Sequence, residues 1–248
     1  MSACSFERAF AVAAPIEGWL TEAQARRLWE AVRRVPAGGL VVEIGSFRGR
    51  SAVVMASALA AGARLVAIDP HEGGDRGPQE IAANAERGEA DNTAFRANLQ
   101  AAGVAERVEH LQLMSSDALP AVPEAIDVLY VDGAHRFGPA RDDIVRWGDR
   151  VAHGGTMLVH DSFSSIGVTL ATLATLTFGA RWRYVGRTGS LAEYRCEPLG
   201  GSARRLNALR QLRQLPWFMR NVLIKVAIVT RLRLVARLLR HDGDTWPY

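Results

Sequence analysis

Leu40-Val41-Val42-Glu43-Ile44-Gly45-Ser46-Phe47-Arg48-Gly49-Arg50-Ser51 reads as a buried strand, a glycine turn and the opening of a helix. The run 40–44 is short and β-branched, follows Gly38-Gly39, and suits a central parallel strand. Gly45 and Gly49 allow the backbone to approach a ligand closely. Residues 52–60 are mostly apolar and helix-compatible, as a crossover helix covering a sheet should be.

The spacing of the turn decides which ligand it suits. Dinucleotide sites use G-x-G-x-x-G, whose middle glycine admits a pyrophosphate at the helix N-terminus. Here the order is Glu43-x-Gly45-x-x-x-Gly49, with an acid before the turn and no middle glycine. Such a loop fits a ligand bearing an ammonium group better than a diphosphate, which argues against a nicotinamide-dependent oxidoreductase, the main alternative enzyme class. On these residues the chain resembles the class I S-adenosylmethionine-dependent methyltransferases, whose first motif is an acid followed by spaced glycines. The resemblance implies an α/β, Rossmann-like, doubly wound sheet of seven strands, mostly parallel, closed by an antiparallel hairpin.

Further strands follow in the order this architecture needs. A second, at 64–69, ends in Asp69, which can accept both hydroxyls of a ribose. A polar loop at 71–90, containing Gly73-Gly74-Asp75-Arg76-Gly77-Pro78, is long enough to serve as a lid over substrate. A helix at 91–102 and a strand at 108–113 come next, then Ser115-Ser116-Asp117. A fourth strand, 126–131, runs into Asp132-Gly133-Ala134-His135, and a fifth, 156–159, into His160-Asp161. Between those two, a helix spans 139–151 and is closed by Gly154-Gly155. After a helix at 165–178, residues 182–186 and 190–195 alternate around 187–189 as a hairpin. Ligands of open α/β sheets bind beyond the carboxyl ends of the strands, so Gly45, Asp69, Asp132, His135, His160 and Asp161 share one rim.

The stretch 130–162 resembles more narrowly the small metal-dependent O-methyltransferases, catechol-type and macrolide-sugar enzymes among them. In that family an acid after strand four and an acidic pair after strand five hold magnesium, and a base follows the first acid by three residues. Carried over, the resemblance implies Asp132, His160 and Asp161 as ligands of a divalent metal, Mg2+ by default, and His135 as the catalytic base. His160 departs from the pattern, because imidazole is an unusual ligand for magnesium. The resemblance further implies S-adenosylmethionine as cofactor, contacted by Glu43, Gly45, Ser46, Gly49, Ser51, Asp69, Ser116, Asp117 and Asp132. The acceptor would be a hydroxyl of a sugar, glycan or other small metabolite.

Outside this body the chain changes character. Residues 1–37 form an N-terminal helical segment: 1–20 read as irregular, and Thr21-Glu22-Ala23-Gln24 as a capping box opening a helix to residue 35. The catalytic body is expected at 38–198 and a separate tail at 199–248. Ten of the chain's 30 basic residues fall between 201 and 240, where no acid occurs, although the whole chain carries a net charge of only +4. The tail mixes arginine with leucine and then with an apolar run from 222 to 229. That pattern suits a helix lying on an anionic membrane surface, through 202–240, or against another subunit of a homo-oligomer. Nucleic acid is the weaker reading of the same arginines, and a non-catalytic membrane-associated interaction protein is the alternative for the whole chain.

No apolar run reaches the roughly 18 residues of a spanning helix, and the start of the chain has no signal-peptide pattern. Cys4 and Cys196 are the only cysteines and sit in no metal-binding spacing. A cytoplasmic protein, peripheral on the membrane where the tail engages it, is the expectation.

Overall fold

The structure is a computed structural model, and it describes residues 4–74, 82–232, 238, 239 and 241. Residues 75–81, which carry the middle of the expected lid, lie outside the described residues, as do Arg233, Arg237 and Arg240 of the tail.

Two helices precede the sheet, α1 (Phe6–Ala13) and α2 (Glu22–Val32). The sheet and its crossovers follow as β1 (Leu40–Ile44), α3 (Arg50–Ala58), β2 (Arg64–Ile68), α4 (Ala85–Ala101), β3 (Val108–Leu111) and the single turn α5 (Ser115–Ala118). Then come β4 (Ile126–Val131), α6 (Phe137–Arg146), β5 (Val151–Val159), α7 (Ile166–Leu176), β6 (Trp182–Thr188) and β7 (Leu191–Cys196). Two more helices, α8 (Gly201–Leu212) and α9 (Leu215–Val229), complete the described order. Among the described residues no helix is long and apolar enough to cross a membrane.

The sheet has seven strands in the order β3-β2-β1-β4-β5-β7-β6. β1 pairs in parallel with both β2 and β4, and β7 runs antiparallel to both β5 and β6. The strand order reverses between β1 and β4, so the crevice at their carboxyl ends is the place where a ligand fits an open sheet. On one face Val41, Leu65 and Ala67 pack under α1, α2 and α3 with Phe6, Leu28 and Trp29. On the other, Val42, Ile44, Ile68 and Val131 pack against Ile144, Trp147 and Val168. Burial on both faces is why these strands read as continuous apolar runs rather than alternating ones.

Several local readings need correction. Residues 1–20 are not irregular throughout: Ser5 caps α1 by accepting the Arg8 N–H at 3.3 Å, and Phe6, Ala9 and Ala13 bury one helical stripe. Pro15 and Gly18 interrupt the chain only after that helix has ended. The Thr21/Gln24 capping box is present, with Gln24 Oε1 accepting the Thr21 N–H at 2.9 Å. Asn84 caps α4, which therefore begins six residues before the expected start. Gly154-Gly155 does not close a helix. It lies inside β5, where the register against β4 shifts. A side chain at Gly155 would meet the Val151 Cγ1 at 2.7 Å and the Asp127 carbonyl at 3.0 Å, so the glycine permits this irregular pairing.

Candidate active site

A cleft enclosing about 260 Å³ opens above the carboxyl ends of β1, β2, β4 and β5. Backbone contacts between the loops draw its floor together. The Gly45 N–H donates to the Ile68 carbonyl at 2.9 Å and the Asp132 N–H to the Ile44 carbonyl at 2.8 Å. Gly45 has φ +86°, and a Cβ there would stand 2.2 Å from the Asp132 carbonyl oxygen. Its glycine is thus demanded by the neighbouring loop, before any ligand is considered. Gly49, at φ +87°, is the N-cap of α3 and does not line the cleft.

Asp69 sits at the tip of β2 and lines the cleft. Its Oδ2 accepts the Phe47 N–H and its Oδ1 the His71 N–H, both at 2.8 Å. Each carboxylate oxygen keeps a second lone pair, so these bonds fix the group's orientation and leave acceptors for a diol. Phe47 and His71 both hold a positive φ, +45° and +48°, a strained backbone that delivers both N–H groups to one carboxylate.

Glu43 behaves differently. It is fully buried, does not line the cleft, and accepts a hydrogen bond from the Ser51 hydroxyl. Burial pushes its pKa up to about 8, with the charges of Asp132 and Asp69 adding to the shift against the opposing Ser51 bond. Ser46 and Ser51 are buried beside the turn and also lie off the cleft surface. Of the first-motif residues expected to contact the cofactor, only Gly45 reaches the cleft.

Ser116 and Asp117 are exposed and outside the cleft, whereas Met114 and Ser115 line it. The Ser115 hydroxyl bonds the carboxylate of Asp143, a buried acid of α6 whose pKa burial raises to about 6. The Trp147 indole donates to the Ser115 carbonyl at 3.2 Å and holds this corner in place. Asp143 and Trp19 belong to no sequence motif; Trp19 packs at the cleft on Phe47, an x position of the first motif, with 5.4 Å between ring centroids. Asp143 carries one signal: it is an acid on the apolar face of an amphipathic helix.

Beyond β4 and β5 the four acid and histidine side chains converge. His135 Nε2 is 2.6 Å from Asp161 Oδ2. His160 Nδ1 stands 3.1 Å from Asp132 Oδ1 and 3.4 Å from Asp161 Oδ2. The Tyr130 hydroxyl donates to the other oxygen of Asp132 at 2.7 Å. Asp161 occupies the left-handed region at φ +55°, and its carbonyl accepts the N–H groups of Ser164 and Ser165 at 3.1 and 2.9 Å. That tight turn is what returns the Asp161 side chain to the rim.

Electrostatics follow from this packing. Burial alone would raise the pKa of Asp161, but the charges of His160 and His135 and the His135 hydrogen bond hold it well below the carboxylate range. Burial would lower both histidines, and the two carboxylates outweigh it and leave both raised.

Asp132, His160 and Asp161 each offer a donor atom within 4.8 Å of the others. Ligands of one ion at ~2.1 Å stand roughly 3–4 Å apart, the range of the His160 separations. His160 is buried, and neither ring nitrogen has a hydrogen-bonding partner of good geometry among the described residues. The set therefore fits a divalent ion, and its imidazole suits a transition ion better than magnesium.

Residues 42–162 match the family model described as a methyltransferase domain. The fold is similar to that of a putative O-methyltransferase from Klebsiella pneumoniae, with TM-score 0.57 and 18% identity over 77% of this chain and 89% of that one. It is also similar to the O-methyltransferase NovP, with TM-score 0.57 and 19% identity over 73% of this chain and 83% of that one. An O-methyltransferase from Bacillus cereus, solved in complex with SAH, gives TM-score 0.55 and 16% identity over 77% and 90%. At these identities the structural likeness is one of fold.

Proposed function

We propose that this chain, whose residues 42–162 match the methyltransferase-domain model, moves a methyl group from S-adenosylmethionine to a hydroxyl oxygen of a sugar, glycan or other small hydroxylated metabolite. One observation carries the reading: a histidine paired with a buried carboxylate, His135 to Asp161 at 2.6 Å, stands on the same cleft as Gly45 and Asp69.

Methyl transfer to an alcohol is an in-line displacement. The acceptor oxygen forms a bond to the methyl carbon, the carbon–sulfur bond breaks, and its electron pair neutralises the sulfonium. The hydroxyl proton must leave with a base. With its Nε2 hydrogen bonded to Asp161, His135 has Nδ1 as its basic nitrogen, and Asp161 stabilises the imidazolium that forms. Asp69, its lone pairs already oriented, accepts the ribose hydroxyls, and Gly45 brings the backbone floor up to the cofactor. The Ser115–Asp143 pair offers polar groups to the cofactor's base. Asp132, His160 and Asp161 would hold a divalent ion. Bound there, such an ion lowers the pKa of the acceptor hydroxyl.

Isothermal titration of the full chain with S-adenosylmethionine tests the cofactor half; micromolar binding is expected, and absence of heat with a folded protein overturns it. Removal of divalent ions with EDTA, followed by Mg2+ or Mn2+ addition, tests the other half. Methyl transfer to a hydroxylated acceptor should be lost and restored, with Mn2+ the better ion. Turnover unaffected by EDTA would mean that protonated His160 alone balances the two carboxylates.

A further inference from the structure

The two C-terminal helices commit several polar side chains to the protein, beside the buried Ile224 and Ala227 of α9, and leave a set of large apolar ones exposed. In α8, the buried Asn207 accepts the Tyr184 N–H at 2.7 Å and donates to the Trp182 carbonyl at 3.0 Å. Gln211, also buried, accepts the Thr177 hydroxyl at 3.2 Å. In α9, Asn221 donates to the Phe163 carbonyl at 3.3 Å and Lys225 to the Ser164 carbonyl at 2.9 Å. These bonds satisfy groups at the sheet edge β6 and in the turn after Asp161, so both helices are part of the folded body.

What remains outside is Met219, Leu223, Val226 and Val229 on α9, each 48–70% exposed, and Leu206 and Leu209 on α8, 48% and 53% exposed. Met219, Leu223 and Val226 follow helical spacing and form one stripe, with Val229 at its border. Arg205, Arg210 and Arg213 are exposed beside the two leucines of α8. No acid occurs anywhere from residue 201 to residue 240. A soluble surface does not gain from a contiguous apolar stripe, and the arginines that flank the exposed leucines of the preceding helix point to what covers it.

We infer that the outward face of α8 and α9 docks this protein on an anionic lipid surface. The apolar stripe enters the boundary between headgroups and acyl chains, and Arg205, Arg210 and Arg213 meet lipid phosphates. Charge favours lipid over a second copy of the chain. A two-fold contact through this face would set the arginines against their own copies, with no acid in the segment to answer them. The surface is held in place, because the inward side of each helix is already committed to the body.

The test is sedimentation of the full chain with vesicles of phosphatidylcholine containing one quarter phosphatidylglycerol, beside vesicles of phosphatidylcholine alone. Binding to the anionic vesicles should exceed binding to the neutral ones by about ten-fold or more and fall as sodium chloride is raised to 0.5 M. The pair Leu223→Asp and Val226→Asp should lower it by about ten-fold. These sites are exposed, so melting temperature and titration with S-adenosylmethionine should stay unchanged and show that the variant is folded. Arg205→Glu with Arg210→Glu should lower binding while leaving the same two readouts intact. Wild-type protein that is folded and monodisperse yet ignores anionic vesicles would overturn the inference. A stable dimer in light scattering that dissociates in the aspartate pair would overturn it too, and would assign the face to a second copy.

Discussion

At the ends of β1 and β2 the cleft is made by backbone, whereas at the ends of β4 and β5 it is made by side chains. On the first side Gly45 touches the neighbouring loop, and Asp69 is pinned by two N–H groups from strained residues. The acid nearest the turn, Glu43, is buried and off the cleft surface. On the second side Asp132, His135, His160 and Asp161 bring four titratable groups within a few hydrogen bonds of one another. Substitution on the backbone-built side should therefore be felt first as lost stability, and substitution on the side-chain-built side as lost turnover.

The largest effect belongs to the second side. His135→Ala should lower methyl transfer by about 10²- to 10⁴-fold, the usual contribution of a positioned base. S-adenosylmethionine binding should persist, because His135 holds none of the groups that pin Asp69. Single-turnover rates beside titration calorimetry separate the two, and full activity in the variant would remove His135 as base. Gly45→Ala should do the reverse. The added methyl meets the Asp132 carbonyl at 2.2 Å in a backbone at φ +86°, so a loss of about 2–4 kcal/mol in unfolding free energy is expected. Chemical denaturation measures it. A variant as stable as the wild type would mean that the two loops part easily and that the contrast between the halves is false.

The same contrast explains what could be read from the sequence. Parallel strands buried on both faces declare themselves as short β-branched runs, so their positions along the chain were legible from residues such as Val41, Val42 and Ile68, and the final hairpin from the alternation between 182 and 195. Acids and histidines at strand ends were legible too, because a strand end fixes which rim a side chain joins, and Asp132, His135, His160 and Asp161 do converge. Contacts set by tertiary approach were not. Ser115, rather than Ser116 or Asp117, lines the cleft because a single helical turn follows β3 and rotates its neighbours outward. Asp143 reaches the cleft from a helix whose packing angle no local pattern encodes. Gly154 and Gly155 look like a helix stop, and only the shifted pairing of β4 with β5 shows them to be a strand irregularity. In the tail, composition gave the mixture of arginine and leucine, but not the choice of face. That choice depends on the Tyr184 and Trp182 backbone groups that Asn207 satisfies.

The effect that is smallest per unit of pH, the titration of Glu43, is the one that best separates the two sides. Glu43 titrates near 8 in the folded chain against a usual 4.5. Below pH 4.5 both folded and unfolded states keep the proton. Between there and pH 8 the unfolded chain loses it while the fold retains it, so the free energy of unfolding falls as pH rises, by at most about 1.4 kcal/mol per unit. Above pH 8 both states are ionised and the slope vanishes. Glu43→Gln removes this titration while keeping the shape of a protonated acid. The variant should lose a little stability at pH 5, where its amide has an extra donor to satisfy, and should regain ground on the wild type steadily to pH 8. Melting temperatures of both proteins across that range give the answer. Parallel curves would mean that Glu43 is ionised in the fold, as a carboxylate holding an ammonium group has to be, and the first side of the cleft would then recognise its ligand by charge as the second side does.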